Sequence, residues 1–152
     1  MAKRMVRRAH DGTFNVRISD DERDLIAGLA VQLRELLVSD ETDGLQRLFP
    51  PGYANDPDRD QEYRQLTHDD LLTKRLESVD IVEATITQTS LTEDQLSAWM
   101  GAVNDLRLVL GTRLDVSEDM DDIDIDDPRA HAFAVYHYLT HVLAEIVEAL
   151  SS

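Results

Sequence analysis

The 152-residue sequence contains no cysteine. A chain without thiols has no disulfide, no thiolate nucleophile and no zinc–thiolate site, and it cannot sense oxidants through a disulfide switch. Long apolar runs are also missing, since no stretch approaches the roughly 18 uncharged apolar residues of a membrane span. The basic start lacks the apolar segment of a secretory signal. We therefore expect a cytoplasmic protein that does not associate with membranes.

Basic residues are scarce: 15 Lys and Arg stand against 31 Asp and Glu, and the net charge is −16. A surface of that sign is repelled by the phosphates of DNA. Four of the basic residues lie in the first eight positions, namely Lys3, Arg4, Arg7 and Arg8. We therefore expect no nucleic-acid binding except through this basic N-terminal arm.

Length and hydrophobic spacing predict a mainly α protein, a helical bundle of about four long helices with a short N-terminal β-hairpin. We expect a single domain over residues 1–152, with the basic arm and hairpin in 1–18 and the bundle in 19–150. In the hairpin, Asp11-Gly12 favours a two-residue type I′ turn, because both central residues need positive φ.

Helix boundaries are predicted from capping patterns. Ser19 with Glu22 and Thr92 with Gln95 are capping boxes that begin helices near residues 20 and 93. Thr67, three residues before an aspartate, predicts a further helix start after a short helix over about 58–66.

Two more boundaries follow from glycine and proline. Gly111 is suited to a left-handed cap that ends the third long helix. Pro128 suits the first turn of the last helix. The apolar face of that helix is wide, and together with an unpaired hairpin edge it predicts a homodimer.

Seven carboxylates crowd the connector from Glu118 to Asp127. Asp122, Asp124 and Asp126 alternate as in a calcium loop, but the sixth position of that template is Asp127 instead of glycine. A solvated acidic connector is the favoured interpretation, and weak divalent binding is the alternative.

Three residues at four-residue spacing on the last helix could hold a metal: His137, His141 and Glu145. Two imidazoles one turn apart can bind a divalent ion. The same helix face continues into Glu148, however, which favours an exposed or interface stripe. We find no nucleophile elbow and no phosphate-binding glycine loop. The sequence therefore points to no catalytic residue and no cofactor.

Polar residues also interrupt two otherwise apolar segments, and they define a candidate polar cluster of Glu62, Arg64, Asn104, Asp105, Arg107, Thr112 and Arg113. Such groups join helices through satisfied salt bridges in most proteins. The alternative is an anion or peptide pocket built on the three arginines.

The stretch Trp-Met-Gly-Ala-Val-Asn-Asp-Leu-Arg-Leu-Val-Leu-Gly-Thr-Arg-Leu, from Trp99 to Leu114, resembles the signature of an actinobacterial family of unassigned function. The segment Leu-Phe-Pro-Pro-Gly-Tyr at 48–53, followed by Glu-Tyr-Arg-Gln-Leu-Thr at 62–67, is similar to the same family. Its members begin with a basic strand like the one here, so the resemblance covers nearly the whole chain.

The family includes the oxidative-stress transcriptional regulator AosR, and its genes tend to lie near that of the ClpS protease adaptor. The resemblance therefore implies a non-enzymatic regulatory protein that acts through protein–protein contacts in a transcriptional stress response, here without a thiol switch. The partner would belong to the transcription machinery. An adaptor in regulated proteolysis, with a protease partner, and a metal-dependent enzyme are the alternatives. The shared polar positions are those of the candidate polar cluster, for which no catalytic role is known.

Overall fold

Four helices and a small sheet form the part of the chain that this computed structural model describes, which is residues 4–39, 57–114 and 129–152. Side chains are described for 4–38, 69–112 and 129–152. The mainly α architecture with an N-terminal hairpin is confirmed. In chain order the elements are β1 (Val6–Arg8), β2 (Phe14–Val16), α1 (Asp20–Ser39), α2 (Pro57–Thr85), β3 (Ser90–Leu91), α3 (Glu93–Leu114) and α4 (Ala130–Ser151).

The hairpin between β1 and β2 closes through a three-residue loop, so the predicted two-residue turn is wrong. The N–H of Gly12 donates to the carbonyl of Ala9 at 3.3 Å, and the N–H of Ala9 donates to the carbonyl of Thr13 at 2.8 Å. Gly12, the last residue of the loop, has a left-handed backbone with φ of 86°. Asp11 instead uses its carboxylate, which accepts a hydrogen bond from the N–H of Thr13 at 3.0 Å. A three-residue loop that ends in a left-handed glycine is one of the common connections of β-hairpins.

A third strand completes the sheet in the order β1-β2-β3, with all pairs antiparallel. Phe14 lies opposite Leu91, and both are almost completely buried. Because β3 covers one edge of the hairpin, that edge is not available for a second chain. A two-residue strand is too short to show any alternation, and so no pattern in the sequence predicts β3.

Helix α2 is continuous over Pro57–Thr85, and the predicted interruption at Thr67 is wrong. The segment after Pro57 contains no glycine and no further proline up to Thr85. Without either residue, a threonine and an aspartate at capping spacing are tolerated inside a helix whose stability comes from tertiary packing.

The two predicted capping boxes begin their helices as expected. The Thr92 hydroxyl accepts from the N–H of Gln95 at 3.2 Å, while the Gln95 side chain accepts from the N–H of Thr92 at 2.9 Å. Ser19 accepts from the N–H of Glu22 at 3.1 Å. The carboxylate of Glu22 does not return the bond; it accepts from the hydroxyl of Tyr138 on α4 at 3.0 Å. Only the Ser19 half of this capping box is formed, and Glu22 instead connects α1 to α4.

Replacing Thr92 with alanine should lower the free energy of unfolding by about 1 kcal/mol, because the first turn of α3 loses its side-chain acceptor. Urea unfolding followed by circular dichroism measures the change. Serine at the same position keeps the hydroxyl and serves as the control. A loss no larger for alanine than for serine would contradict the assigned cap.

Gly111 does not end α3, which continues to Leu114. A Cβ atom at Gly111 would lie 3.0 Å from Cε2 of Tyr136. The glycine therefore permits close approach of the α4 tyrosine ring and does not act as a left-handed cap. The predicted role of Pro128 in the first turn of α4 lies outside the described residues.

One hydrophobic core runs through the sheet and all four helices. Helix α3 lies against both α2 and α4, α1 packs on α2, and β1 contacts α4. The largest fully buried side chains are Trp99, Phe14, Ile26, Leu33, Leu91, Leu96, Leu139 and Ile146. In the described parts of the chain, no helix has the combination of length and apolar character required to cross a membrane.

Most of the apolar face of α4 packs against other elements of the same chain. Leu139, Val142 and Ile146 are at most 2% exposed, whereas Val147 is 44% exposed. The homodimer prediction was based on this face and on the hairpin edge, and the fold uses the face and one of the two edges internally. The homodimer stays a prediction.

Candidate functional site

An ion pair joins α2 to α3 inside the helical body. Nη1 of Arg75 lies 2.5 Å from Oδ1 of Asp105. The side chains are 22% and 4% exposed, respectively. Asp105 belongs to the predicted polar cluster, but its partner Arg75 was not predicted.

Burial raises the pKa of the Asp105 carboxyl above its ordinary value of 3.8. The positive charge of Arg75 and its hydrogen bond act in the opposite direction. The net rise shows that removal from water outweighs the attraction of one partly exposed guanidinium. Arg75 therefore favours the charged form of the Asp105 carboxyl, and burial disfavours it.

Arg107 points to the other side of α3 and contacts α4. Its Nε–H donates to the hydroxyl of Thr140 at 3.0 Å, and its guanidinium carbon lies 5.5 Å from the ring centre of Tyr136. Thr140 in turn donates to the carbonyl of Tyr136 at 3.1 Å. The guanidinium is thus positioned by a hydroxyl and a ring, without a carboxylate among these contacts.

The candidate polar cluster is divided by α3, because Asp105 faces α2 and Arg107 faces α4. Residues two positions apart on a helix point in widely different directions, which explains the division. Asn104 is half-buried, and the Thr112 hydroxyl donates to the carbonyl of Leu108 at 2.9 Å, within its own helix. The side chains of Glu62, Arg64 and Arg113 lie outside the described residues. The anion or peptide pocket therefore stays a prediction.

A buried hydrogen-bond chain links α2 to α3 at the other end of their contact. Nε1–H of Trp99 donates to the hydroxyl of Thr85 at 2.7 Å, and this hydroxyl donates to the carbonyl of Ile81 at 2.6 Å. Trp99 and Thr85 are 2% and 3% exposed. The sequence did not identify Thr85 as the partner of Trp99, although a buried indole N–H needs an acceptor.

Of the possible metal ligands on α4, His137 and His141 are exposed and Glu145 is half-buried. Nε2 of His141 is 3.8 Å from Oε1 of Glu145, and the ring of His137 meets Tyr136 edge-on at 5.6 Å between ring centres. No group of three histidine and carboxylate side chains within the described residues is arranged to hold a metal ion. The acidic connector of Glu118–Asp127 falls outside the described part of the chain.

Two arginines of the predicted basic arm are used to hold the sheet on α4. Arg4 pairs with Glu148. Arg8 donates to the carbonyl of Leu150 at 3.3 Å and lies over the ring of Phe14. Cations are favoured at this position because the C-terminal end of a helix carries partial negative charge. Part of the basic arm therefore has a structural role.

Another arginine, Arg23 on α1, binds backbone carbonyls just after the end of α2. Nη1 of Arg23 donates to the carbonyls of Ile86 at 2.5 Å and Gln88 at 3.0 Å. These carbonyls lie in the connection between α2 and β3, so the guanidinium joins α1 to that connection. Arg34 similarly joins α1 to Asp80 and Glu83 of α2.

These contacts define a mainly α protein whose internal polar side chains cross-link neighbouring helices. The chain belongs to a family described as a domain of unknown function (DUF2017), whose model matches residues 3–150. The match confirms the predicted membership of a domain family of unassigned function. No curated protein and no solved structure matches the chain.

Proposed function

We propose that this protein is a non-enzymatic regulator that acts through protein–protein contacts in the transcriptional response to stress. The observation that carries the proposal is that the polar groups inside the helical body bond one another. Asp105 binds Arg75, Arg107 binds Thr140, and Trp99 binds Thr85. Groups held in this way stabilise a rigid body, and a partner would meet the charged surface of that body.

The charge of that surface also supports recognition of proteins. A net charge of −16 raises the rate of association with partners that present positive charge and disfavours contact with polyanions such as DNA. An acidic regulator is thus suited to bind a component of the transcription machinery rather than the promoter itself.

The link to stress rests on the resemblance of Trp99–Leu114 to the family that includes AosR. Because the chain has no cysteine, any response to oxidative stress has to be independent of thiols. Oxidation of a thiol to a disulfide is not available to it.

The proposal predicts that deleting the gene changes the transcript levels of a defined set of genes after peroxide treatment. RNA sequencing of the deletion strain, with and without peroxide, measures this effect. Complementation with the wild-type gene should restore the set, and complementation with a severely destabilised variant such as Trp99→Ala should not. Unchanged transcripts together with altered protein degradation would favour the proteolysis adaptor and contradict the proposal.

A further inference from the structure

The three strands present a polar face away from the core. Arg7 on β1, Asn15 on β2 and Ser90 on β3 are paired across the sheet and are all exposed. Arg17 extends the same face, since its N–H donates to the carbonyl of Met5 at 2.7 Å and side chains alternate along a strand. We call these four residues the outer sheet face.

The two arginines of this face differ from the other basic residues of the molecule. Every other arginine and lysine whose side chain is described contacts a carboxylate, a hydroxyl, a backbone carbonyl or an aromatic ring. Within the described residues, Arg7 and Arg17 have no such contact, although the chain has twice as many acidic as basic residues. Both therefore keep their full donor capacity on one side of the sheet.

The three strands that carry this face contain no acidic residue of their own. Strands β1, β2 and β3 read Val-Arg-Arg, Phe-Asn-Val and Ser-Leu and contain no carboxylate. The nearest acidic residue of the hairpin, Asp11, accepts hydrogen bonds from Thr13. The charged side chains of the outer sheet face are therefore both positive, on a protein whose net charge is −16.

We propose that the outer sheet face docks an extended acidic segment of a partner protein; this inference rests on the proposed function. Arg17 lies two positions from Asn15, the residue opposite Arg7, and such diagonal neighbours are about 7–8 Å apart. Carboxylates at positions i and i+2 of an extended segment are separated by about 6–7 Å and share one side. Each can accept a paired hydrogen bond from one guanidinium.

Charge decides between an acidic protein segment and a nucleic acid. Two arginines neutralise few phosphates, and the rest of the molecule repels a long polyanion. A short acidic segment can bind the two arginines. The rest of such a segment carries less negative charge than a nucleic acid, so the acidic body repels it less. The observations therefore favour the protein.

The test measures fluorescence anisotropy of a labelled peptide of alternating Glu and Thr on the full-length protein. We expect salt-sensitive binding, weakened about tenfold in the double variant Arg7→Glu/Arg17→Glu, because two exposed charge pairs become repulsive. Lys74→Glu is the control, since it reverses another exposed charge, on α2, and should change the affinity by less than about twofold. A peptide with Gln in place of Glu should not bind.

Four results would overturn the inference. They are no binding of the acidic peptide to the wild type, equal binding by the double variant, equal binding of the Gln peptide, and tighter binding of a random DNA oligonucleotide that the double variant loses. The milder double variant Arg7→Gln/Arg17→Gln removes both charges without reversing them. Circular dichroism and the thermal midpoint of both double variants establish whether an altered fold causes any loss of binding.

Failure of this inference can be told apart from failure of the proposed function. If the double variant captures the same cellular partners as the wild type, the docking surface is wrong and the regulatory function stands. If the wild type captures none, the function is wrong, and the peptide measurement still decides what the face binds.

Discussion

Replacing Trp99 with alanine should lower the free energy of unfolding by about 4 kcal/mol. Trp99 is 2% exposed and is the largest fully buried side chain of the core. The substitution leaves a cavity between α2 and α3, and it also removes the hydrogen bond from the indole N–H to Thr85. Both losses act at the same contact between α2 and α3.

The chain has one tryptophan, so unfolding of Trp99→Ala must be followed by circular dichroism in urea. Thr85→Val is the matched variant, because it keeps the shape and leaves the indole N–H buried without an acceptor. Its expected cost is about 2 kcal/mol. A loss below about 1 kcal/mol for Trp99→Ala would contradict the central position of this side chain.

The second large effect is expected at the ion pair between α2 and α3. Arg75→Met should lower the free energy of unfolding by about 3 kcal/mol at neutral pH, because Asp105 would remain as a buried carboxylate without its cation. Methionine keeps the apolar part of the arginine side chain, and so the change reports mainly on charge.

The cost of Arg75→Met should depend on pH in a defined direction. Burial already raises the pKa of Asp105 above its ordinary value, and removing Arg75 raises this pKa further. A carboxyl whose folded-state pKa is raised stabilises the fold below its unfolded pKa and loses this contribution as the pH rises through the folded pKa. The variant should therefore be closer to the wild type at about pH 5 than at about pH 7.5.

Two control variants separate charge from packing. Asp105→Asn should cost less than Arg75→Met, because a neutral amide can still accept from the guanidinium and is less costly to bury. The double variant Arg75→Met/Asp105→Leu should recover much of the loss, since a buried ion pair can be replaced by apolar side chains of similar volume. An equal loss for both single variants at every pH would contradict the assigned role of the pair.

Local patterns in the sequence were sufficient for most of the fold. Ser19 and Thr92 begin α1 and α3 as predicted, because a cap needs only residues within one turn. Gly111 and Thr67 were misinterpreted for the opposite reason. A distant ring, that of Tyr136, gives the glycine its role, and α2 continues through the threonine without a break.

The candidate polar cluster could be predicted only in part. Asp105 and Arg107 were identified as polar positions within an apolar segment, and helical geometry already implies that they face different neighbours. Their partners, Arg75 and Thr140, lie about 30 positions away in sequence. No spacing rule connects residues on separate helices, so the helix pairing had to be known first.

The outer sheet face was hidden in the sequence for a related reason. Arg7 was one of four basic residues in the N-terminal arm, while Arg17 lay at the other end of the predicted hairpin segment, residues 1–18. Only the strand register places both arginines on the side opposite Phe14, and only the contacts of Arg4 and Arg8 show that those two are already used.

The central claim is that this protein works by binding another protein. Affinity capture of the tagged chain, expressed at its native level in its own cell, tests the claim most directly when captured proteins are quantified by mass spectrometry against an untagged strain. The account predicts enrichment of sigma factor or RNA polymerase subunits, with less of them retained as the salt concentration rises. Enrichment of the tagged chain alone, at every salt concentration, would contradict it.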